Sequence, residues 1–146
     1  PDAFIGVDVM VGCRGETSEC FGDSYAFLDS LPVTQLHVFP YSERRGTAAL
    51  RINYVVADNV KKERVHKLLK LSDEKTLHFY AQHIGKEAEV LFEKSAHGKA
   101  MHGFTRNYIR VELPPSDGND RLDNEIVRVR LGEFNYAKNA LKGQLL

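Results

Sequence analysis

Thiols are scarce in this chain: its 146 residues include two cysteines, Cys13 and Cys20. Two thiols cannot by themselves build a disulfide framework, a four-ligand zinc site or an iron–sulfur cluster. A pair seven residues apart is read as reduced and partly buried. Net charge is lacking too, since twenty basic residues balance twenty acidic ones. The global field therefore attracts no nucleic acid, and any such contact must come from local placement. No apolar run approaches the roughly 20 residues that span a bilayer, and no cleavable signal region opens the chain. The expectation is a cytoplasmic protein with no membrane partner. The glycines of 12–17 are wrongly spaced for a dinucleotide fingerprint, and His78 and His83, five apart, do not make an HExxH pair. No metal site is expected.

What is present follows two patterns. The hydrophobic share of 42% is that of a globular chain. Phe4 to Gly12 is a nearly continuous apolar run, the mark of a strand covered on both faces. Gly12-Cys13-Arg14-Gly15-Glu16-Thr17 is a glycine-punctuated turn in which Thr17 can cap the helix that follows. Phe21, Tyr25, Leu28 and Leu31 share one face of that helix, Pro32 ends it, and Gln35 to Phe39 forms a second strand. Strand, helix and strand predict a right-handed parallel unit of the kind repeated in barrel enzymes. A polar loop, Tyr41 to Tyr54, leads to a long helix running from Asp58 towards Ile84. Its packing stripe is Val65, Leu68, Leu69, Ser72, Thr76, Phe79, Tyr80 and His83, with Gly85 as its stop.

Beyond Gly85 the hydrophobic period becomes two. Ala88, Val90 and Phe92 alternate with polar neighbours, as do Ile109, Val111 and Leu113, and Val127, Val129 and Leu131. Short alternating strands between turns predict a small antiparallel barrel. The fold class is thus α/β plus all-β. Residues 1–84 make a partial (β/α) TIM-like barrel with a long linking helix, and residues 85–146 a small OB-like β-barrel. Two parallel strands with one crossover helix cannot cover both faces of a sheet and leave strand edges open. The first part therefore needs a partner, either a missing N-terminal part of the same protein or a second copy through swapping or self-association. Pro1-Asp2-Ala3, leading straight into an apolar strand, is expected to open an excised fragment.

Two clusters of charge stand out. Lys61, Lys62, Arg64, Lys67 and Lys70 face Glu63 alone over about three helical turns; they read either as a docking stripe for a phosphate backbone or as a solvated face. Arg106, Arg110, Arg128 and Arg130 project opposite to the apolar set of the barrel strands, with Asn107 and Tyr108 between them. Arginine beside an aromatic suits single-stranded loop RNA, the guanidinium on phosphate and the ring on a splayed base.

Three segments carry a family resemblance. Asp8-Val9-Met10-Val11-Gly12-Cys13-Arg14-Gly15-Glu16-Thr17 resembles the D-x-I-V-G-F-P-G-E-T strand and turn of radical S-adenosylmethionine methylthiotransferases. His37-Val38-Phe39-Pro40-Tyr41-Ser42-Glu43-Arg44-Arg45-Gly46-Thr47 resembles their Y-S-x-R-x-G-T loop. Gly103-Phe104-Thr105-Arg106-Asn107-Tyr108-Ile109-Arg110-Val111 resembles the core of their C-terminal TRAM domain, a small RNA-binding barrel. In order, the three span nearly the whole chain, which thus resembles the C-terminal portion of a MiaB-like enzyme. Leu36-His37-Val38-Phe39 before Tyr41-Ser42-Glu43-Arg44 is most similar to the branch acting on threonylcarbamoyladenosine. Cys13 and Arg14 replace a frequent Phe-Pro, and Arg45 and Ala48 stand where prolines often sit, which loosens the loops.

The resemblance implies a parent enzyme that methylthiolates a tRNA adenosine beside the anticodon, using S-adenosylmethionine and two 4Fe–4S clusters. The CxxxCxxC motif and the three further cluster cysteines of the family are absent from this chain. Alone it is expected to be inactive, with no catalytic residue and no cofactor of its own. By the same resemblance Gly12, Gly15, Glu16, Phe39, Tyr41 and Ser42 help line the cofactor pocket; read as a sequence alone, 12–17 is equally a well-capped strand-to-helix turn. Arg106, Asn107, Tyr108, Arg110, Arg128 and Arg130, with Lys61 and Lys62, are the candidate contacts to a tRNA anticodon stem-loop. Two other functions remain: a ribosomal-protein methylthiotransferase whose last barrel grips protein, and a non-enzymatic OB-like RNA-binding module.

Overall fold

The computed structural model describes residues 2–146, apart from the Asp120 side chain. The chain forms two compact units, Ile5–Leu77 on one hand and 2–4 with His78–Leu146 on the other.

In the first unit, strands β1 (Gly6–Val11) and β2 (Gln35–Pro40) pair in parallel, with Gly6 opposite Gln35 and Val11 opposite Pro40. Helix α1 (Ser18–Ser30) connects them. Its N-cap is Thr17, whose side-chain oxygen accepts the Cys20 N–H at 3.2 Å. Helix α2 (Asp58–Ala81) supplies Leu68 and Leu71 to a core shared with Val11, Leu28 and Leu36. Three polar side chains of α2 anchor it. The Ser72 hydroxyl accepts the Leu36 N–H at 2.9 Å and donates to the Leu36 carbonyl at 3.2 Å. Thr76 donates to the Thr34 carbonyl, and the Lys75 ammonium donates to the carbonyls of Asp29 and Leu31 at the end of α1.

Three expectations are corrected here. β1 is not covered on both faces: Val7, Val9 and Val11 turn towards the helices, while Met10 on β1 and Phe39 on β2 are 59% and 52% exposed. A two-stranded sheet with its helices on one side leaves its other side open. Phe4 is not part of β1 but belongs to the second unit, where its ring meets Phe79 edge-on at 5.7 Å. Leu69 lies on the open side of α2 and Leu71 is buried instead, because the buried stripe passes through Arg64, Leu68, Leu71 and Ser72 at helical spacing.

The second unit is a closed barrel of five strands in the order β3-β4-β5-β7-β6. These are β3 (Glu87–Phe92), β4 (Met101–Thr105), β5 (Arg110–Leu113), β6 (Ile126–Asn135) and β7 (Ala140–Leu145). Neighbours are antiparallel except β5 and β7, which run parallel through Val111–Leu141 and Glu112–Lys142. The wholly antiparallel barrel expected from the alternation is therefore corrected at one seam; the arrangement is consistent with an OB-like barrel. β6 bulges between Leu131 and Phe134, so that one long strand pairs with β3 at its start and β7 along its length. Val90, Phe92, Met101, Ile109, Val111, Leu113, Val129, Leu131 and Leu141 fill the barrel, closed over by Phe79 and Tyr80 from the last turn of α2.

Candidate functional site

The loop after β1 is held from within. Gly12 and Gly15 adopt φ of +81° and +87°, open to glycine and costly for other residues. Glu16 closes the turn: one carboxylate oxygen accepts the Gly12 N–H at 2.9 Å, and the other pairs with Arg64 Nη1 at 2.6 Å. Arg64 also donates to the Glu16 carbonyl at 2.9 Å, lies 5.2 Å over the Phe21 ring, and has a side chain only 4% exposed. The close approach at Gly12 is taken by a side chain of the same unit, since a Cβ there would lie 2.5 Å from Lys61 Cγ. The Gly15 N–H donates to the Tyr54 carbonyl at 2.9 Å.

Arg14 staples the long loop 41–54. It pairs with Glu43 at 2.7 Å and donates to the carbonyls of Leu50 and Ile52. The hydrogen bond from Arg14 holds the Glu43 carboxyl below its ordinary range. Burial pushes the Cys13 thiol up, as does the nearby Glu16 charge, with Lys61 pulling the other way. Cys13 is thus a protonated thiol at neutral pH rather than a nucleophile.

Of the remaining cofactor-side candidates, Phe39 stands on the open face of the sheet and Ser42 is exposed. Tyr41 falls in with the two lysines assigned to RNA. A groove of about 470 Å³ is lined by Tyr41, Lys61, Lys62, His66, Asp58 and Leu69, among others. Lys61 Nζ sits 6.0 Å from the Tyr41 ring centroid and 3.5 Å from Asp58. The five-cation run of α2 is therefore not one free stripe. Arg64 is buried on Glu16, Lys67 pairs with Glu63 at 2.8 Å, and Lys70 lies 4.0 Å from Glu74.

On the barrel the arginines separate. Arg128 and Arg130 both donate to Glu87, each at 3.1 Å, and Arg106 pairs with Glu89 at 2.9 Å. Arg110 lies directly opposite Phe104 across the β4–β5 ladder and donates to the Lys138 carbonyl at 3.2 Å. Tyr108 is 68% exposed. Asn107, half-buried, serves the turn. It accepts the Thr105 hydroxyl at 2.6 Å and donates to the Asp2 carbonyl at 3.0 Å and His83 Nε2 at 3.2 Å. Buried Thr105 and His83 need polar partners, and Asn107 supplies them.

Several surface residues lie outside the set read from the sequence. Ile126, Leu91 and Phe104 are aligned across β6, β3 and β4, exposed by 65%, 45% and 38%. Tyr136, 77% exposed, and Lys138 occupy the turn between β6 and β7. Phe104 was visible as the outward partner of an inward Gly103 and Thr105; Tyr136 carries no periodic signal. Among the described residues no three His, Cys, Asp or Glu side chains converge as metal ligands. With two cysteines in all, the donors present do not fit a 4Fe–4S cluster. No helix among the described residues is long and apolar enough to cross a membrane.

No family model matches the chain. It is 35% identical over 143 residues to the threonylcarbamoyladenosine tRNA methylthiotransferase MtaB of Bacillus subtilis, covering 95% of this chain and 31% of that protein. The chain is homologous to part of the tRNA methylthiotransferases. The protein of the same name from Aquifex aeolicus is 40% identical over 91 residues, 62% of this chain and 22% of its own length. A tRNA-2-methylthio-N(6)-dimethylallyladenosine synthase of Symbiobacterium thermophilum is 32% identical over 133 residues, 90% of this chain and 28% of the relative. The chain thus spans about a third or less of the methylthiotransferases it matches, and the similarity to the Bacillus protein extends over segments of both compact units.

Proposed function

We propose that this chain is the part of a tRNA-modifying methylthiotransferase that walls one side of a cofactor pocket and holds the anticodon stem-loop. The observation that carries this reading is the 35% identity over 95% of the chain to a threonylcarbamoyladenosine tRNA methylthiotransferase. The unit built on β1 and β2 is read as a piece of a TIM-like radical barrel. Its open sheet face, with Phe39 and Met10, faces the pocket, and the loop residue Ser42 stands at the rim. Gly12, Gly15 and Glu16 act there by fixing the loop, because their groups are taken by Lys61, Tyr54 and Arg64. S-adenosylmethionine reduced by a cluster elsewhere in the parent would supply the radical. This chain's residues shape and dry the wall.

The barrel is read as the TRAM-type RNA holder. In OB-like barrels the second and third strands, with the loops after the first and fourth, bind oligonucleotides. Here those elements are β4, β5, the loop 93–100 and the turn 136–139. They present Phe104 beside Arg110, Lys94 and Lys99, and Tyr136 with Lys138, a combination of rings and cations suited to unpaired nucleotides. Arg128 and Arg130, which share the one carboxylate of Glu87, contribute less. The aligned apolar row of Ile126, Leu91 and Phe104 is the feature that favours a protein target instead, as in the ribosomal-protein branch.

The test is anisotropy of a labelled anticodon stem-loop titrated with the full chain at several salt concentrations. Binding that weakens steeply with salt, and falls about tenfold in both Phe104→Ala and Arg110→Ala, supports the reading. Absence of binding at low salt, with capture of a ribosomal protein, overturns it in favour of the protein target.

A further inference from the structure

The turn between β4 and β5 holds a bulky side chain in an unfavourable backbone. Tyr108 has φ +59°, and the other non-glycine residues of positive φ among those described are both asparagines, Asn124 and Asn139. Asparagine tolerates the left-handed region, whereas an aromatic side chain is rarely placed there without something that enforces it. The Tyr108 ring recovers little by burial, being 68% exposed with its centroid 6.3 Å from that of Phe4. A local conformation that costs stability and gains little packing is the kind of conflict that marks use at a surface.

A partly buried relay, starting in the segment after α2, runs to this turn. His83 Nδ1 lies 2.8 Å from the Phe79 carbonyl, which can only accept, so Nδ1 carries the hydrogen and Nε2 is left as an acceptor. The Asn107 amide nitrogen donates to that Nε2 at 3.2 Å and to the Asp2 carbonyl at 3.0 Å. This orients the Asn107 oxygen towards the Thr105 hydroxyl, which donates to it at 2.6 Å and accepts the Ile109 N–H at 2.9 Å. The Tyr108 N–H then closes the turn on the Thr105 carbonyl at 3.0 Å. Each step has the donor and acceptor sense that the next requires. The charged group facing His83 is Asp2, with Oδ1 3.7 Å from Nε2.

We propose that His83 is a positioning residue for a nucleotide-gripping turn: through Asn107 and Thr105 it holds the backbone that presents the Tyr108 ring for stacking. The ligand is an unpaired nucleotide of a structured RNA, so this inference rests on the RNA reading above. His83 itself touches no RNA.

The experiment measures affinity of the full chain for a labelled anticodon stem-loop, with folding followed by circular dichroism. Tyr108→Ala is expected to weaken binding about tenfold, the loss of one stacked base. His83→Phe, which keeps a buried ring and removes the acceptor, is expected to match it. His83→Gln, whose amide can donate to Phe79 and accept from Asn107, is expected to stay within about threefold of wild type. In the Tyr108→Ala background His83→Phe should cost nothing further, since both act on one contact. If wild type binds and a folded His83→Phe binds equally well, or weakens binding just as much without Tyr108, the positioning role fails and the RNA reading stands. If wild type itself does not bind at low salt, the RNA reading fails. Should His83→Phe not fold, the Asn107 side-chain amide resonances decide: they must move when RNA is added to wild type, and their silence overturns the proposal.

Discussion

Arg64 and Glu16 form the tightest polar contact of the first unit, with the Arg64 side chain 4% and the Glu16 side chain 16% exposed. Removing one partner of such a pair leaves the other buried and uncompensated, which costs about 3–5 kcal/mol. Arg64→Ala is therefore expected to lower the urea midpoint of the unit strongly, and Lys67→Ala, which deletes an exposed pair with Glu63, to change it by less than about 0.5 kcal/mol. Equal effects of the two substitutions would remove Glu16 from its role in the turn. Tyr80 gives a residue-scale prediction in the barrel. Its hydroxyl accepts the Arg110 N–H at 3.0 Å, and burial pushes the phenol up, offset in part by that hydrogen bond. An acid whose folded pKa is raised is stabilising while protonated in both states. That stability is intact at neutral pH and is lost as the pH rises through the alkaline range where the folded phenol ionises. Thermal melts should show an alkaline decline that is shallower in Tyr80→Phe.

At the scale of elements, β3 and β4 approach so closely at Gly103 that a Cβ there would collide with the Leu91 carbonyl and with Val90. Neither partner can retreat, one being ladder backbone and the other a core side chain. Gly103→Ala is expected to destabilise the barrel by about 1–3 kcal/mol, read as a lowered melting temperature with little effect from Gly118→Ala, where a Cβ meets nothing within 4 Å. The sequence made some of this visible and hid the rest for physical reasons. Alternation exposed β3, β5 and the start of β6 because each has one wet and one dry face. β4 and β7 were quieter: each carries a glycine, Gly103 or Gly143, at a crowded inward site, which erases the hydrophobic member of the alternation. The outward charges were legible as residue types but not as partners. Nothing in spacing reveals that Arg128 and Arg130 share Glu87, or that Asn107 turns inward to His83.

For the whole molecule, a net charge of zero looks ill-suited to an RNA-binding protein, yet the chain's relatives are named for acting on tRNA. The internal pairing of charge makes the proposed RNA contact compatible with that neutrality. Of the four barrel arginines singled out, three are held by two glutamates, Glu87 and Glu89, whereas Arg110 bonds a carbonyl and keeps its full charge. Phosphate binding would then rest on Arg110 and the loop lysines, with Glu87 restraining Arg128 and Arg130 and Glu89 restraining Arg106. Counterion release gives this a number: each phosphate neutralised on a single strand changes the slope of log affinity against log salt by about −0.7. Arg110→Ala should make the slope shallower by roughly that amount, and Arg128→Ala should change it much less. Glu87→Gln should do the reverse, releasing Arg128 and Arg130 to steepen the slope and tighten binding at low salt. If Glu87→Gln leaves both slope and affinity unchanged while Arg128→Ala weakens binding, the pairing seen on the barrel does not govern the proposed RNA contact.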